Sequence, residues 1–186
     1  MTDHRPGVSE LGGLESDLPA ELGATFDHVA VAGPRIRDLL PLWQDTLGGR
    51  FVIGADNPEI GWRTVRLELG GITCVELIEP LPGSAFLDGF FRRHPAGGLH
   101  HVTFLVDDIR AAFDRLTIRG YEPFGAGEQW FQLFVHPRNA SGVLLQLMRR
   151  RTALPANAAG PAERPRMTLE DVLAGRGYNG TGLASP

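Results

Sequence analysis

The chain has 186 residues, of which 42% are hydrophobic and 22% charged, and this composition is typical of one compact globular domain or of two small similar halves. All 18 basic residues are arginine and the net charge is −4 without a basic stripe, which excludes lysine-based Schiff-base chemistry and argues against nucleic-acid binding. With one cysteine, no apolar run of roughly 20 residues and no signal-peptide pattern at the N-terminus, we expect a cytoplasmic protein that does not enter a membrane.

The two ends of the chain differ in composition from its centre. Residues 1–24 mix glycine, proline, serine and acidic residues without a period, and we interpret them as an N-terminal arm. Residues 151–186 begin with a proline- and alanine-rich linker and continue into a short helix, in which Thr168 and Asp171 have the spacing of a capping box and Gly175 follows as a stop. The sequence predicts a flexible tail after this helix and one domain over residues 25–150.

An internal repeat organises the central domain. FDHVAVAGPRIR, from Phe26, aligns without a gap with LHHVTFLVDDIR, from Leu99, at an offset of 73 residues. Each segment continues into an apolar-periodic stretch that ends at glycine, then into a short extended run and two longer ones. The pattern predicts an α+β fold with two tandem βαβββ modules, over residues 25–80 and 98–150.

Four polar side chains interrupt the apolar pattern at repeat-related positions: His28, Glu76, His101 and Gln146. Because side chains alternate between the faces of a strand, His28 shares a face with Ala30, and the equivalent face in the second module holds the second histidine while His100 points away. A buried carboxylate is costly without a partner, and a divalent metal held with two imidazoles is one such partner. The four residues are therefore candidate metal ligands.

These motifs resemble the vicinal oxygen chelate superfamily, the glyoxalase, bleomycin resistance and dioxygenase fold, and within it the methylmalonyl-CoA epimerase family most. The resemblance runs from about Phe26 to Arg149 and is carried by FDHVAVAG, CVELIEPL, FLDGFFRRHPAGGLHHVTFLVDDI and FVHPRNASGVLLQL. It implies that the modules form an open, cup-shaped eight-stranded sheet, that the protein is a homodimer, and that each of four strands supplies one ligand to a divalent ion. Those ligands would be His28, Glu76, His101 and Gln146, and cobalt, nickel, zinc, manganese and iron all accept this donor set.

The chain departs from the epimerase pattern at two of these positions. The epimerases have a glutamate at the position of Gln146 and a glutamine-type or other residue at that of Glu76. In this chain the carboxylate therefore lies in the first module instead of the second. In the family that last-strand glutamate is one of two proposed proton-transfer bases, and a neutral amide cannot replace it. The other proposed base matches Glu59. We therefore predict a metal-binding protein that is a poor methylmalonyl-CoA epimerase and uses one principal base, with Glu59 the first candidate and Glu76 the second.

The resemblance implies a metal-dependent isomerase or epimerase that acts on a small carbonyl compound or an acyl-CoA through a metal-stabilised enolate. Three alternatives remain: an enzyme of specialised metabolism that performs a cyclisation or rearrangement on this fold, a non-haem iron oxygenase, and a non-catalytic ligand-binding or resistance protein. Four arginines are candidates for contacts with coenzyme A phosphates, although a solvated face is the expectation we favour: Arg63, Arg66, Arg92 and Arg93.

Overall fold

The computed structural model describes residues 21–58, 60–71, 73–150, 168–175 and 178–179. Glu59, most of the predicted N-terminal arm and the predicted linker lie outside these residues. The described residues form two compact units, one with residues 21–26 and 104–150 and the other with residues 27–58, 60–71, 73–103, 168–175 and 178–179. Each unit is described by itself.

The larger unit contains the first predicted module. Its strands are β1 (Thr25–Ala32), β2 (Arg50–Asn57), β3 (Trp62–Leu69), β4 (Thr73–Pro80) and the first part of β5 (Gly98–Val106). Along the sheet they follow the order β5-β1-β4-β3-β2. β1 and β4 are parallel, whereas β4 with β3 and β3 with β2 are antiparallel. This order places β1, β4 and β5 side by side, which decides where the site forms.

Helices in this unit are short. Helix α1 (Ile36–Leu40) continues directly into a π-helical turn, Pro41–Thr46, and α2 (Asp88–Phe91) precedes β5. The backbone amide of Ile36 donates to Glu79 Oε2 at 2.6 Å, which satisfies a donor at the start of α1. Pro41 lies at the junction of α1 and the π-helical turn, where its missing N–H interrupts the α-helical ladder.

The second module has the same element order in the smaller unit. After the end of β5 come α3 (Ile109–Ile118), β6 (Pro123–Phe124), β7 (Gln132–Val135), a 3₁₀ turn (Pro137–Asn139) and β8 (Leu145–Arg149). β6, β7 and β8 pair in antiparallel fashion in that order. Asp108 caps α3 by accepting from the backbone amides of Arg110 and Ala111. The predicted α+β class with two βαβββ modules is confirmed.

Strand periodicity divides the larger unit into two faces, as the sequence predicts. Val29 and Val31 pack against a core that contains Ile36, Leu67 and Leu77. His28 and Ala30 point to the opposite face and are completely buried. The histidine face carries polar side chains and also a second buried apolar cluster, which contains Ala32, Trp62 and Ile78.

The C-terminal segment adds to the first module. Helix α4 (Leu169–Leu173) begins at Thr168, whose side chain and Asp171 form the predicted capping box. Val172 is fully buried in the core beneath the sheet, close enough to Gly54 that a Cβ there would lie 2.8 Å from a Val172 methyl. A short ninth strand, β9 (Tyr178–Asn179), then pairs with β2 in parallel. The sequence predicts only a tail here, because a two-residue strand has no detectable period.

No helix among the described residues is long and apolar enough to cross a membrane.

Candidate metal centre

Three of the four predicted ligands come together in the larger unit. His28 on β1, Glu76 on β4 and His101 on β5 lie on neighbouring strands, and their potential ligand atoms all lie within 4.8 Å of one another. Glu76 Oε2 is 3.3 Å from His28 Nε2 and 3.5 Å from His101 Nε2. The two imidazoles therefore present the same ring nitrogen to one carboxylate oxygen.

The donor set fits a divalent ion by its spacing and by its burial. Donors bound at about 2.0–2.2 Å to a tetrahedral ion lie about 3.3–3.6 Å apart, which matches the two Nε2–Oε2 distances. Both histidines are 0% exposed and Glu76 is 7% exposed. His101 Nε2 is buried and has no hydrogen-bond partner among the described residues. A buried lone pair without a donor is costly, and a cation at this point would satisfy it.

The neighbours of Glu76 and His28 set the protonation of both groups. Burial raises the pKa of the Glu76 carboxyl, but its contacts with His101 and His28 at 3.5 and 3.3 Å outweigh this and hold that pKa well below the usual range. Burial lowers the pKa of His28, but its hydrogen bonds with Asp27 and Glu76 outweigh this and raise that pKa above the ordinary value. The hydrogen bond from His28 lowers the pKa of Asp27. Glu76 is thus a carboxylate and a weak base.

Arg66 enters the centre from β3, where it lies opposite Glu76 in the strand register. Its Nε is 3.4 Å from Glu76 Oε1, and its Nη1 is 3.2 Å from Asp27 Oδ2. Arg63 is also part-buried and pairs with Asp56 and Glu79. The expectation that the four arginines lie on a solvated face is therefore wrong for Arg63 and Arg66, whereas Arg92 and Arg93 are exposed. Side chains alternate along β3, so Arg66 lies on the same face of the strand as Trp62. This alternation is the one feature of the sequence that could have predicted the position of Arg66.

Trp62 and His100 enclose His101. The Trp62 ring stacks on the His101 ring, with centroids 5.7 Å apart and planes at 12°. His100 Nδ1 lies 2.8 Å from His101 Nδ1, so the prediction that His100 points away from the site is wrong. Burial, followed by the charge of His101, lowers the pKa of His100 to about 3. A neutral His100 can accept a hydrogen bond from the His101 ring. The alternation of side chains along an ideal strand does not predict this contact between neighbouring residues.

The two remaining predicted site residues, Gln146 and Glu59, are not part of this cluster of described residues. Gln146 lies on β8 in the smaller unit, is 4% exposed, and donates from its amide nitrogen to Gln132 Oε1 at 2.7 Å. Its burial in an apolar strand agrees with the sequence pattern, and its role as a ligand stays a prediction. Glu59 is outside the described residues, so its role as a base also stays a prediction.

Comparison with known proteins identifies relatives of one kind. Residues 27–132 match the family described as the Glyoxalase/Bleomycin resistance protein/Dioxygenase superfamily. The Ethylmalonyl-CoA/methylmalonyl-CoA epimerase of Cereibacter sphaeroides is 35% identical over 128 residues, which are 66% of this chain and 95% of the relative. The mitochondrial methylmalonyl-CoA epimerase of Homo sapiens is 32% identical over 128 residues, 66% of this chain and 72% of the relative.

A solved structure agrees with these matches. The crystal structure of methylmalonyl-CoA epimerase from Mycobacterium tuberculosis superposes with a TM-score of 0.62 at 26% identity, covering 73% of this chain and 93% of the other. The match spans nearly the whole of that chain, so the likeness extends beyond the histidine-bearing strands.

Proposed function

The chain belongs to the glyoxalase/bleomycin resistance protein/dioxygenase superfamily, and on that premise we propose that it is a metal-dependent epimerase acting at the α carbon of an acyl-CoA thioester. The observation that carries the proposal is the buried cluster of His28, Glu76 and His101 in a chain 35% identical to an epimerase of CoA thioesters. When bound, the metal supplies a Lewis acid that stabilises negative charge on the thioester oxygen.

The ligand residues bind and orient, and they leave the proton transfer to another group. His28 and His101 offer neutral nitrogen donors, and Glu76 offers one anionic oxygen between them. Arg66 lies against Oε1 of Glu76, and the pKa of the Glu76 carboxyl is held well below its usual range. Glu76 is therefore poorly suited to remove a proton. We therefore place Glu59 as the principal base, and Glu76 as a ligand.

Gln146 distinguishes this chain from a two-base epimerase. An amide oxygen can coordinate a metal weakly but cannot take up the α proton at neutral pH. With a single base, abstraction and return of the proton both depend on one side of the α carbon. We therefore propose that the native reaction uses one principal base and that inversion of methylmalonyl-CoA is slow.

A second candidate is a non-haem iron oxygenase, because two histidines and one carboxylate are also the facial triad of that class. The epimerase names of the relatives favour the first candidate. Oxygen consumption by the iron-loaded protein distinguishes the two, since epimerisation uses no oxidant.

The test of the proposed function is exchange of the α proton of methylmalonyl-CoA in D₂O, followed by NMR. Protein stripped with a chelator and then loaded with cobalt, nickel, zinc or manganese is compared with the stripped protein. We expect metal-dependent exchange, with inversion slower than the usual enzymatic range of about 1–10³ per second. Absence of metal-dependent exchange with methylmalonyl-CoA and with ethylmalonyl-CoA would refute the proposal.

We also propose a cytoplasmic homodimer. The homodimer follows from the family resemblance and from the tendency of sheet edges to be covered by pairing. Among the described residues, β9 pairs with Ala55 and Asp56 of the eight-residue strand β2, so the described pairing covers part of this strand.

A further inference from the structure

The internal repeat relates two residues that immediately precede ligands. At the offset of 73 that aligns His28 with His101, Asp27 aligns with His100. Both of these preceding side chains contact the ring that follows them, and both do so at the same atom. The duplication has therefore placed a partner for Nδ1 at equivalent points of the two modules, with a carboxylate in one and an imidazole in the other.

Asp27 holds the first ring. Its Oδ2 lies 2.6 Å from His28 Nδ1, and the same oxygen lies 3.2 Å from Arg66 Nη1. Arg66 Nη2 is also 3.0 Å from His28 Nδ1, but Arg66 can only donate, and a ring nitrogen that bears a proton cannot accept. The shorter, charge-assisted contact to Asp27 favours the proton on Nδ1. The Thr103 hydroxyl lies 3.1 Å from His28 Nε2 and can donate to the lone pair of that atom without a metal, whereas a bound ion would take that lone pair instead.

His100 holds the second ring. Its Nδ1 lies 2.8 Å from His101 Nδ1, and its own ring is packed edge-on against Trp62 and Phe90 at centroid distances of 5.8 and 5.1 Å. The stacked Trp62 ring fixes the plane of His101. With the shared proton on His101 Nδ1, the lone pair of His101 Nε2 faces Glu76 Oε2.

A neutral imidazole binds a metal through the nitrogen that lacks a proton, and the hydrogen bond at the other nitrogen decides which one that is. We propose that Asp27 and His100 are positioning residues that each accept a hydrogen bond from Nδ1–H of the following histidine, so that both Nε2 atoms face a divalent ion. The inference rests on the metal site of the proposed function. Asp27 is the stronger partner because it is charged, and the site is therefore asymmetric.

The test uses the full-length protein with Zn²⁺ as the probe. Affinity is measured by competition with a chromophoric chelator for Asp27→Ala and His100→Leu, which remove the acceptors, and for Asp27→Asn and His100→Asn, whose amide oxygens can still accept a hydrogen bond. The matched controls are Asp38→Ala and His94→Leu, which make the same changes at exposed positions. Nitrogen-15 shifts of the histidine rings report the tautomers with and without Zn²⁺.

We expect Asp27→Ala to weaken Zn²⁺ binding by about 10- to 100-fold, the range typical of losing such a partner, and His100→Leu to weaken it less. Both asparagine variants should recover part of the loss, the controls should match the unsubstituted protein, and the wild-type rings should be protonated at Nδ1. The asparagine variants also decide the question if the alanine or leucine variant does not fold.

Two results would overturn the inference, and they are distinguishable. If the unsubstituted protein binds Zn²⁺ and the Asp27 and His100 variants bind it equally well, or if the rings are protonated at Nε2, the positioning role is wrong and the metal site stands. If the unsubstituted protein binds none of the divalent ions, the metal site of the proposed function fails together with this inference.

Discussion

Replacing Glu76 with glutamine keeps the shape of the side chain and removes the negative charge that lies between the two histidine rings. The carboxylate is 3.3 and 3.5 Å from the two Nε2 atoms and 3.4 Å from Arg66 Nε, and its side chain is 9% exposed. A metal bound here would lose its anionic donor and keep two neutral ones. Glu76→Gln therefore tests the assignment of the carboxylate as a ligand.

The expected loss of affinity follows from the number of donors. A structural zinc site with four ligands is worth about 10–16 kcal/mol, or about 2.5–4 kcal/mol for each ligand, which corresponds to about 10²- to 10³-fold in the dissociation constant. Glutamine retains a carbonyl oxygen that can coordinate weakly. We therefore expect the lower end, a Zn²⁺ affinity about 10²-fold weaker than that of the unsubstituted protein.

The fold should tolerate the change. Breaking a fully buried ion pair costs about 3–5 kcal/mol because the remaining charge has no partner. Here Arg66 keeps Asp27 as a partner at 3.2 Å, and its side chain is 24% exposed. We expect the metal-free variant to lose at most about 2 kcal/mol of its free energy of unfolding, less than that full penalty.

Chelator competition and chemical denaturation of the same samples measure both quantities. Glu170→Gln is the matched control, because it makes the same change at a surface carboxylate that is 69% exposed and pairs with Arg37. Equal Zn²⁺ affinity for the Glu76 and Glu170 variants would show that Glu76 is not a ligand. An affinity loss without unfolding would support the assignment.

Four further predictions concern the base, the last strand, the C-terminal helix and assembly. Glu59→Gln should leave metal content intact and lower turnover by about 10²- to 10⁴-fold, as for loss of a general base; an equal turnover would show that the base lies elsewhere. Gln146→Glu should raise the rate of methylmalonyl-CoA inversion measured by NMR, and rapid inversion by the unsubstituted protein would refute our interpretation of this position. Val172→Ala deletes two buried carbons, so denaturant titration should show a loss of about 2–3 kcal/mol of stability. Zn²⁺ affinity should not change, because Val172 packs in the core that Val29 and Val31 contact, on the face of β1 opposite His28. Light scattering should give a dimer at micromolar concentration, and a monomer would contradict the proposed assembly.

The sequence predicts the modules because their signals are local. Alternation with a period of two identifies the histidine face of β1, and the glycine-terminated apolar stretches identify the helices between strands. The capping residues Thr168 and Asp171 lie three positions apart, so one turn of helix suffices to bring them together. The repeat then doubles each of these weak signals, which is why His28, Glu76 and His101 stand out before any contact is known.

The tertiary structure decides which side chains surround those ligands. Arg66 reaches Glu76 because β3 and β4 pair with these residues opposite each other. It reaches Asp27 because β1 lies next to β4 in the sheet, although β2 and β3 separate these two strands in the chain.

His100 contacts the site through ring packing, although strand alternation directs it to the other face. The sequence contains these residues, but register, strand order and ring packing are properties of chain segments far apart in sequence. For this reason the candidate ligands follow from the sequence, whereas the side chains that contact them follow only from the fold.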